Sequence, residues 1–97
     1  MKKQEIVDIL SAHRQEMANR FAVQSLSLFG SIVRDEAGPD SDVDILVEFP
    51  HPPTFDQYMG LKFYLEDLLG TNVDLVTSRS LKKRVLPHVM AEAVRVA

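Results

Sequence analysis

The chain has no cysteine among its 97 residues. Disulfides, thiolate nucleophiles and zinc–thiolate sites are therefore excluded. Imidazole is nearly as scarce, supplied only by His13, His51 and His88, which are scattered along the chain. No apolar run approaches the ~18 residues that a membrane-spanning helix needs. Met1-Lys2-Lys3 leads into an amphipathic segment instead of a signal-peptide core, so the expected location is the cytoplasm. An excess of basic charge is also missing. A net charge of −3 argues against bulk nucleic-acid binding.

The charge is unevenly placed. Residues 78–97 carry five basic groups (Arg79, Lys82, Lys83, Arg84, Arg95) and one acid, Glu92, for a sum of +4. Residues 1–77 carry six basic and thirteen acidic groups, for −7. The tail reads either as a docking face for an anionic ligand or partner, or as a solvated helix face. A hydrophobic fraction of 45% and a charged fraction of 26% are ordinary for a globular protein. The length fits one domain spanning 1–97, which buries roughly 60–65% of its unfolded surface around a single modest core.

What is present centres on Leu28 to Glu48, LFGSIVRDEAGPDSDVDILVE. An apolar run stops at Gly30-Ser31, ten residues intervene, and Asp42-Val43-Asp44 opens a second apolar run. Aspartate is depleted in strands, yet two of them begin this one. Residues two apart on a strand share a face, so Asp42 and Asp44 project together, with Val43 and Ile45 opposite. Two carboxylates ~5 Å apart repel by roughly 3 kcal/mol at an effective dielectric of about 20. Such a pair needs a positive charge between its members. An oxygen-only donor set favours Mg²⁺ or Mn²⁺. Gly30 lets the backbone approach a ligand closely. The Ser31 hydroxyl and the N–H groups opening a short helix offer an anion site. Phosphate binder and paired carboxylates together suggest metal-assisted phosphoryl or nucleotidyl transfer.

Gly-Ser, ten residues, then Asp-x-Asp, with a later Val73-Asp74-Leu75, resembles the signature of the minimal nucleotidyltransferases of the DNA polymerase beta superfamily. Within it, the chain is similar to the MNT antitoxins that partner HEPN toxins. The resemblance implies an α+β nucleotidyltransferase fold with a small mixed sheet of three to four strands packed with helices. It implies MgATP as substrate, Asp42, Asp44 and Asp74 as metal-binding catalytic residues, and phosphates on Gly30-Ser31. It also implies a hetero-oligomer with a HEPN ribonuclease toxin from an adjacent gene, silenced by adenylylation of a tyrosine. An arginine at position 34 is common in the family.

Along the chain, residues 3–20 predict an amphipathic helix with Ile6, Ile9, Leu10, His13 and Met17 on one stripe. His13 there reads as a core-edge residue. Residues 22–29 predict a strand with Leu26 and Leu28 on one face. A brief helix over Ser31–Glu36 places Arg34 one turn past Ser31. Arg34 either neutralises nucleotide phosphates or pairs with Asp35, Asp40 or a catalytic aspartate. Gly38-Pro39-Asp40-Ser41 is a turn in which Ser41 is either a second phosphate contact or a cap. Residues 42–49 predict the second strand, halted by Pro50, Pro52 and Pro53, with His51 exposed.

Thr54 with Gln57 forms a capping box. Phe55, Tyr58, Met59, Leu61, Leu65, Leu68 and Leu69 supply the apolar stripe of a helix ended by Gly70. Asn72–Thr77 predicts a third strand. Its Asp74 completes a carboxylate triad as metal ligand or base if this strand lies beside the Asp42–Asp44 strand, or else caps the following turn. A short basic helix over 79–84 and a last helix over about 87–95 follow. Pro87 sits in the first turn of the latter, and Val89, Met90, Ala93 and Val94 face inward. Two other functions compete with adenylylation of a toxin. One is a silent module of the same fold that masks its partner. The other is transfer onto RNA or a small molecule such as an aminoglycoside.

Overall fold

A computed structural model of the chain describes residues 2–38 and 41–97. Pro39 and Asp40 of the expected turn lie outside the described residues. Helices α1 (Lys3–Ala12) and α2 (Arg14–Phe21) precede strand β1 (Ser25–Phe29). A single 3-10 turn, Gly30–Ile32, follows. Then come β2 (Val43–Glu48), α3 (Phe55–Leu69), β3 (Val73–Thr77), α4 (Leu86–Glu92) and β4 (Val94–Arg95). The four strands form one mixed sheet in the order β3-β2-β1-β4, so the fold is α+β. β2 runs antiparallel to β1 and parallel to β3.

Alternation along the strands divides the sheet into two faces. Leu26, Leu28, Ile45, Val47, Val73 and Leu75 point to one face and are buried in a core with Ile6, Leu10, Met17, Leu61, Leu65 and Leu69 from α1, α2 and α3. Asp42, Asp44, Leu46 and Asp74 point to the other face by the same alternation. Leu46 and Val89 are buried apart from the main core. α4 thus covers part of the second face while three helices cover the first. Among the described residues, no helix is long and apolar enough to cross a membrane.

α3 begins and ends where its caps predict. The Thr54 hydroxyl accepts from the Gln57 N–H at 3.1 Å, and Gln57 returns a bond to the Thr54 N–H at 3.2 Å. Gly70 closes the helix in the left-handed region at φ +68°. Phe55, assigned to the apolar stripe, is instead 77% exposed, because the first residue of α3 extends past the core.

Other expectations need correction. The helix over 3–20 is two helices. The His13 ring Nδ1 donates to the Ile9 carbonyl at 2.7 Å, and the His13 backbone N–H turns to Leu10 instead. A side chain has entered the hydrogen-bond ladder, and the helix breaks there. The first strand starts at Ser25, not residue 22, after Ala22 adopts φ +58° to end α2. Residues 79–84 form turns, not a helix. The last helix starts in accord with Pro87 but stops at Glu92, and Val94–Arg95 pairs with β1. Val89 is buried as expected, whereas Met90 is 47% exposed.

Candidate active site

Two local events bring the acidic residues to the glycine bend. β1 ends at Phe29, which pairs with Asp44 across the antiparallel ladder. The next residue, Gly30, takes φ +77° and swings the chain over the end of β2. A Cβ at position 30 would lie 2.0 Å from Asp44 Oδ2. The Asp44 carboxylate therefore fills the space left by a side chain that glycine lacks. Ser31 is half-buried in the same bend, and the brief 3-10 turn relaxes through Asp35 at φ +59°, a conformation that aspartate tolerates.

The parallel pairing of β2 with β3 sets Asp44 directly opposite Asp74. The strand adjacency that the sequence could only suppose is thus realised. Asp74 is held from both sides by α3. The Val73 N–H donates to Glu66 at 2.9 Å, and the Tyr58 hydroxyl donates to the Leu75 carbonyl. These contacts fix the backbone one residue before and one after the aspartate. Tyr58 packs against the core, as the sequence implies, and its hydroxyl braces β3 as well.

Electrostatics records the crowding. Burial first, then Asp74 and Asp42, push the Asp44 carboxyl above the ordinary carboxylate range, and Arg34 only partly offsets them. Asp42 and Asp74 are exposed while Asp44 is half-buried. Among the described residues, no three aspartate, glutamate or histidine side chains converge tightly enough to cage a metal ion. The arrangement is an Asp44–Asp74 pair with Asp42 beside it. Oxygen donors carrying uncompensated negative charge suit a hard divalent cation such as Mg²⁺.

Arg34 is exposed and makes neither of its expected ion pairs with Asp35 or a catalytic aspartate. Its partners are Glu92, at 2.5 Å from Nη1, and Glu36, at 3.4 Å from Nε. Glu92 first and Glu36 second hold the guanidinium pKa above its usual value. Glu92 also accepts the Gly30 N–H at 3.2 Å. This carboxylate, the single acid of the basic tail, was missed as a site residue, and its isolation in that tail was the available signal. Ser41 accepts the Gly38 N–H at 3.0 Å, the capping alternative of its two roles. Two larger hollows lie elsewhere, about 550 Å³ beside Arg20, Phe63 and Tyr64 and about 490 Å³ beside Arg14 and Arg95. Asp42 and Ser41 line a smaller hollow of about 240 Å³ with Gly38 and Gly70, while Asp74 is exposed on the sheet beside Asp44.

The family model for the nucleotidyltransferase domain matches residues 10–96. The chain is 48% identical over 93 residues to the protein adenylyltransferase MntA of Thermococcus cleftensis, covering 96% of this chain and 94% of that one. A solved candidate minimal nucleotidyltransferase superposes with a TM-score of 0.76 at 36% identity, covering 97% of this chain and 95% of its own. A chain from the complex of a tri-AMPylated Shewanella oneidensis HEPN toxin with its MNT antitoxin superposes at TM-score 0.69, covering 97% of this chain and 71% of that one. At 21% identity that last likeness concerns the fold alone. The glycine bend, the facing aspartates and these similarities lead to one conclusion: the chain belongs to the nucleotidyltransferase domain family and is a nucleotidyltransferase.

Proposed function

We propose that this nucleotidyltransferase moves AMP from ATP to a tyrosine hydroxyl of a HEPN-type ribonuclease toxin and acts as that toxin's antitoxin. The observation that carries the reading is the in-register Asp44–Asp74 pair set against the Gly30 bend. Two similarities support the choice of acceptor: the 48% identical relative is a protein adenylyltransferase, and the Shewanella complex contains an AMPylated HEPN toxin. The exposure of Asp74 adds a physical argument, since an acceptor presented on a protein surface can reach it.

In this reading the Gly30 N–H, the Ser31 hydroxyl and the Arg34 guanidinium take the phosphate oxygens, while Ser41 caps the turn beside Asp42. Asp44 and Asp74, with Asp42 beside them, would hold Mg²⁺, with Mn²⁺ as a substitute. When bound, the cation neutralises charge developing on the α-phosphoryl group and on the leaving pyrophosphate. The tyrosine oxygen attacks the α-phosphorus in line. One P–O bond forms there, the bond to the bridging oxygen breaks, and pyrophosphate departs with its electron pair. Asp74, the more exposed of the facing aspartates, receives the hydroxyl proton. Position and charge account for the catalysis, and no covalent enzyme intermediate is needed.

The test is incubation of the full chain with α-labelled ATP, Mg²⁺ and the HEPN protein encoded beside it. The expected result is an AMP adduct on a tyrosine of that protein, abolished by Asp44→Asn. A partner that binds but stays unlabelled would replace this reading with silencing by masking.

A further inference from the structure

Glu92 bridges two donors that the preceding reading assigns to the nucleotide. Its Oε2 accepts the Gly30 N–H at 3.2 Å and its Oε1 accepts Arg34 Nη1 at 2.5 Å. A carboxylate bridging a backbone N–H and a guanidinium mimics a phosphate group in the same place. It offers two oxygens, carries negative charge, and makes charge-assisted bonds. The contact brings a fourth carboxylate toward a ledge already crowded by Asp42, Asp44 and Asp74. Like charge opposes that approach. The Arg34 and Gly30 donors are what offset it.

The contact is also built to be released. Glu92 is the last residue of α4, and Ala93 after it is already extended at φ −63°, ψ 139°. The side chain can therefore swing away without unpairing β4 from β1. Its side chain is 23% exposed and that of Arg34 is 49% exposed, so water can replace either partner.

We propose that Glu92 is an internal competitor for the phosphate chain of the nucleotide. In the nucleotide-free protein its carboxylate holds the Gly30 N–H and the Arg34 guanidinium, and it leaves when a triphosphate is seated. The competition selects for polyanions. A ligand with several phosphates outbids one carboxylate, whereas a nucleoside without phosphate gains nothing from the exchange. The inference rests on the reading of Gly30 and Arg34 as phosphate donors.

The experiment is calorimetric titration of the wild-type chain, Glu92→Gln and Glu92→Asp with MgATP, inorganic tripolyphosphate and adenosine. Glutamine keeps the length and an oxygen acceptor for Gly30 but loses the charge. Glu92→Gln is expected to tighten MgATP and tripolyphosphate by roughly two- to fivefold, the range of a part-exposed ion pair, and to leave adenosine unchanged. Glu92→Asp, which retains the charge on a shorter arm, is expected to tighten them by a smaller factor. It also carries the test if the glutamine variant does not fold. Unchanged or weaker tripolyphosphate binding in folded variants overturns the proposal and makes Glu92 a strut for Arg34. Equal tightening of adenosine overturns it as well. If wild type and variants alike bind neither MgATP nor tripolyphosphate, the phosphate-site reading fails and this inference falls with it.

Discussion

The two faces of the sheet are made from the same strands and obey opposite rules. On the helix-covered face, Leu26, Leu28, Ile45 and Val47 are fully buried, and each contributes to stability by leaving water. On the other face, Asp42, Asp44 and Asp74 gather like charge at the end of the same strands, under partial cover from α4. β2 shows the contrast one residue at a time: Ile45 is a core residue, and its neighbour Asp44 is a half-buried acid with a raised pKa. The covered face makes the fold stable, and the ledge sacrifices part of that stability for chemistry.

Substitutions can sharpen or break this contrast. The largest effect is expected on the covered face. Leu65→Ala should lower unfolding free energy by roughly 2–5 kcal/mol, read by urea denaturation, with transfer by the remaining folded protein nearly intact. Next comes Gly30→Ala at the junction of the faces. Its positive φ and the clash with Asp44 should cost about 2 kcal/mol or more and abolish transfer even in the folded fraction. Tyr58→Phe removes the hydroxyl that braces β3 beside Asp74 and should cost about 1 kcal/mol. It should lower the transfer rate severalfold, because the aspartate loses a constraint. Phe63→Ser lies at the small end. This side chain is 59% exposed on the outside of α3, and its loss should change stability by no more than about 0.5 kcal/mol. A large loss at Phe63, or a negligible one at Leu65, would mean that the faces are wrongly assigned.

The legible parts of the sequence were those with local causes. The Thr54–Gln57 box and Gly70 mark both ends of α3 because capping is a reaction between residues a few positions apart. Gly30-Ser31 and Asp42-Val43-Asp44 were legible because each breaks a local rule of strand composition. The partner of Asp44 required more. Nothing in the 73–77 segment states which strand it will join, and the family resemblance supplied that link. Glu92 was hard to read as a site residue because its bond to Gly30 spans 62 positions, and its isolation in the basic tail was the one local sign. β4 has two residues, too few for a period, and its Val94 fits the helical spacing of the preceding segment. The break at His13 arose from a ring nitrogen competing for a backbone carbonyl, which an apolar pattern does not record.

The crowding at Asp44 carries a definite pH dependence. An acid whose pKa is raised by folding contributes its stability fully below the ordinary carboxylate range, and that contribution is lost as pH rises through the raised value. At neutral pH the ionised Asp44 is therefore a liability in the metal-free protein. The most direct test of the account is thermal unfolding of Asp44→Asn beside wild type in chelator across pH, paired with a transfer assay in Mg²⁺. The account predicts that the variant melts a few degrees higher at pH 7, that the gap closes toward about pH 3.5, and that transfer disappears. A variant that melts lower at pH 7 and still transfers AMP would contradict it.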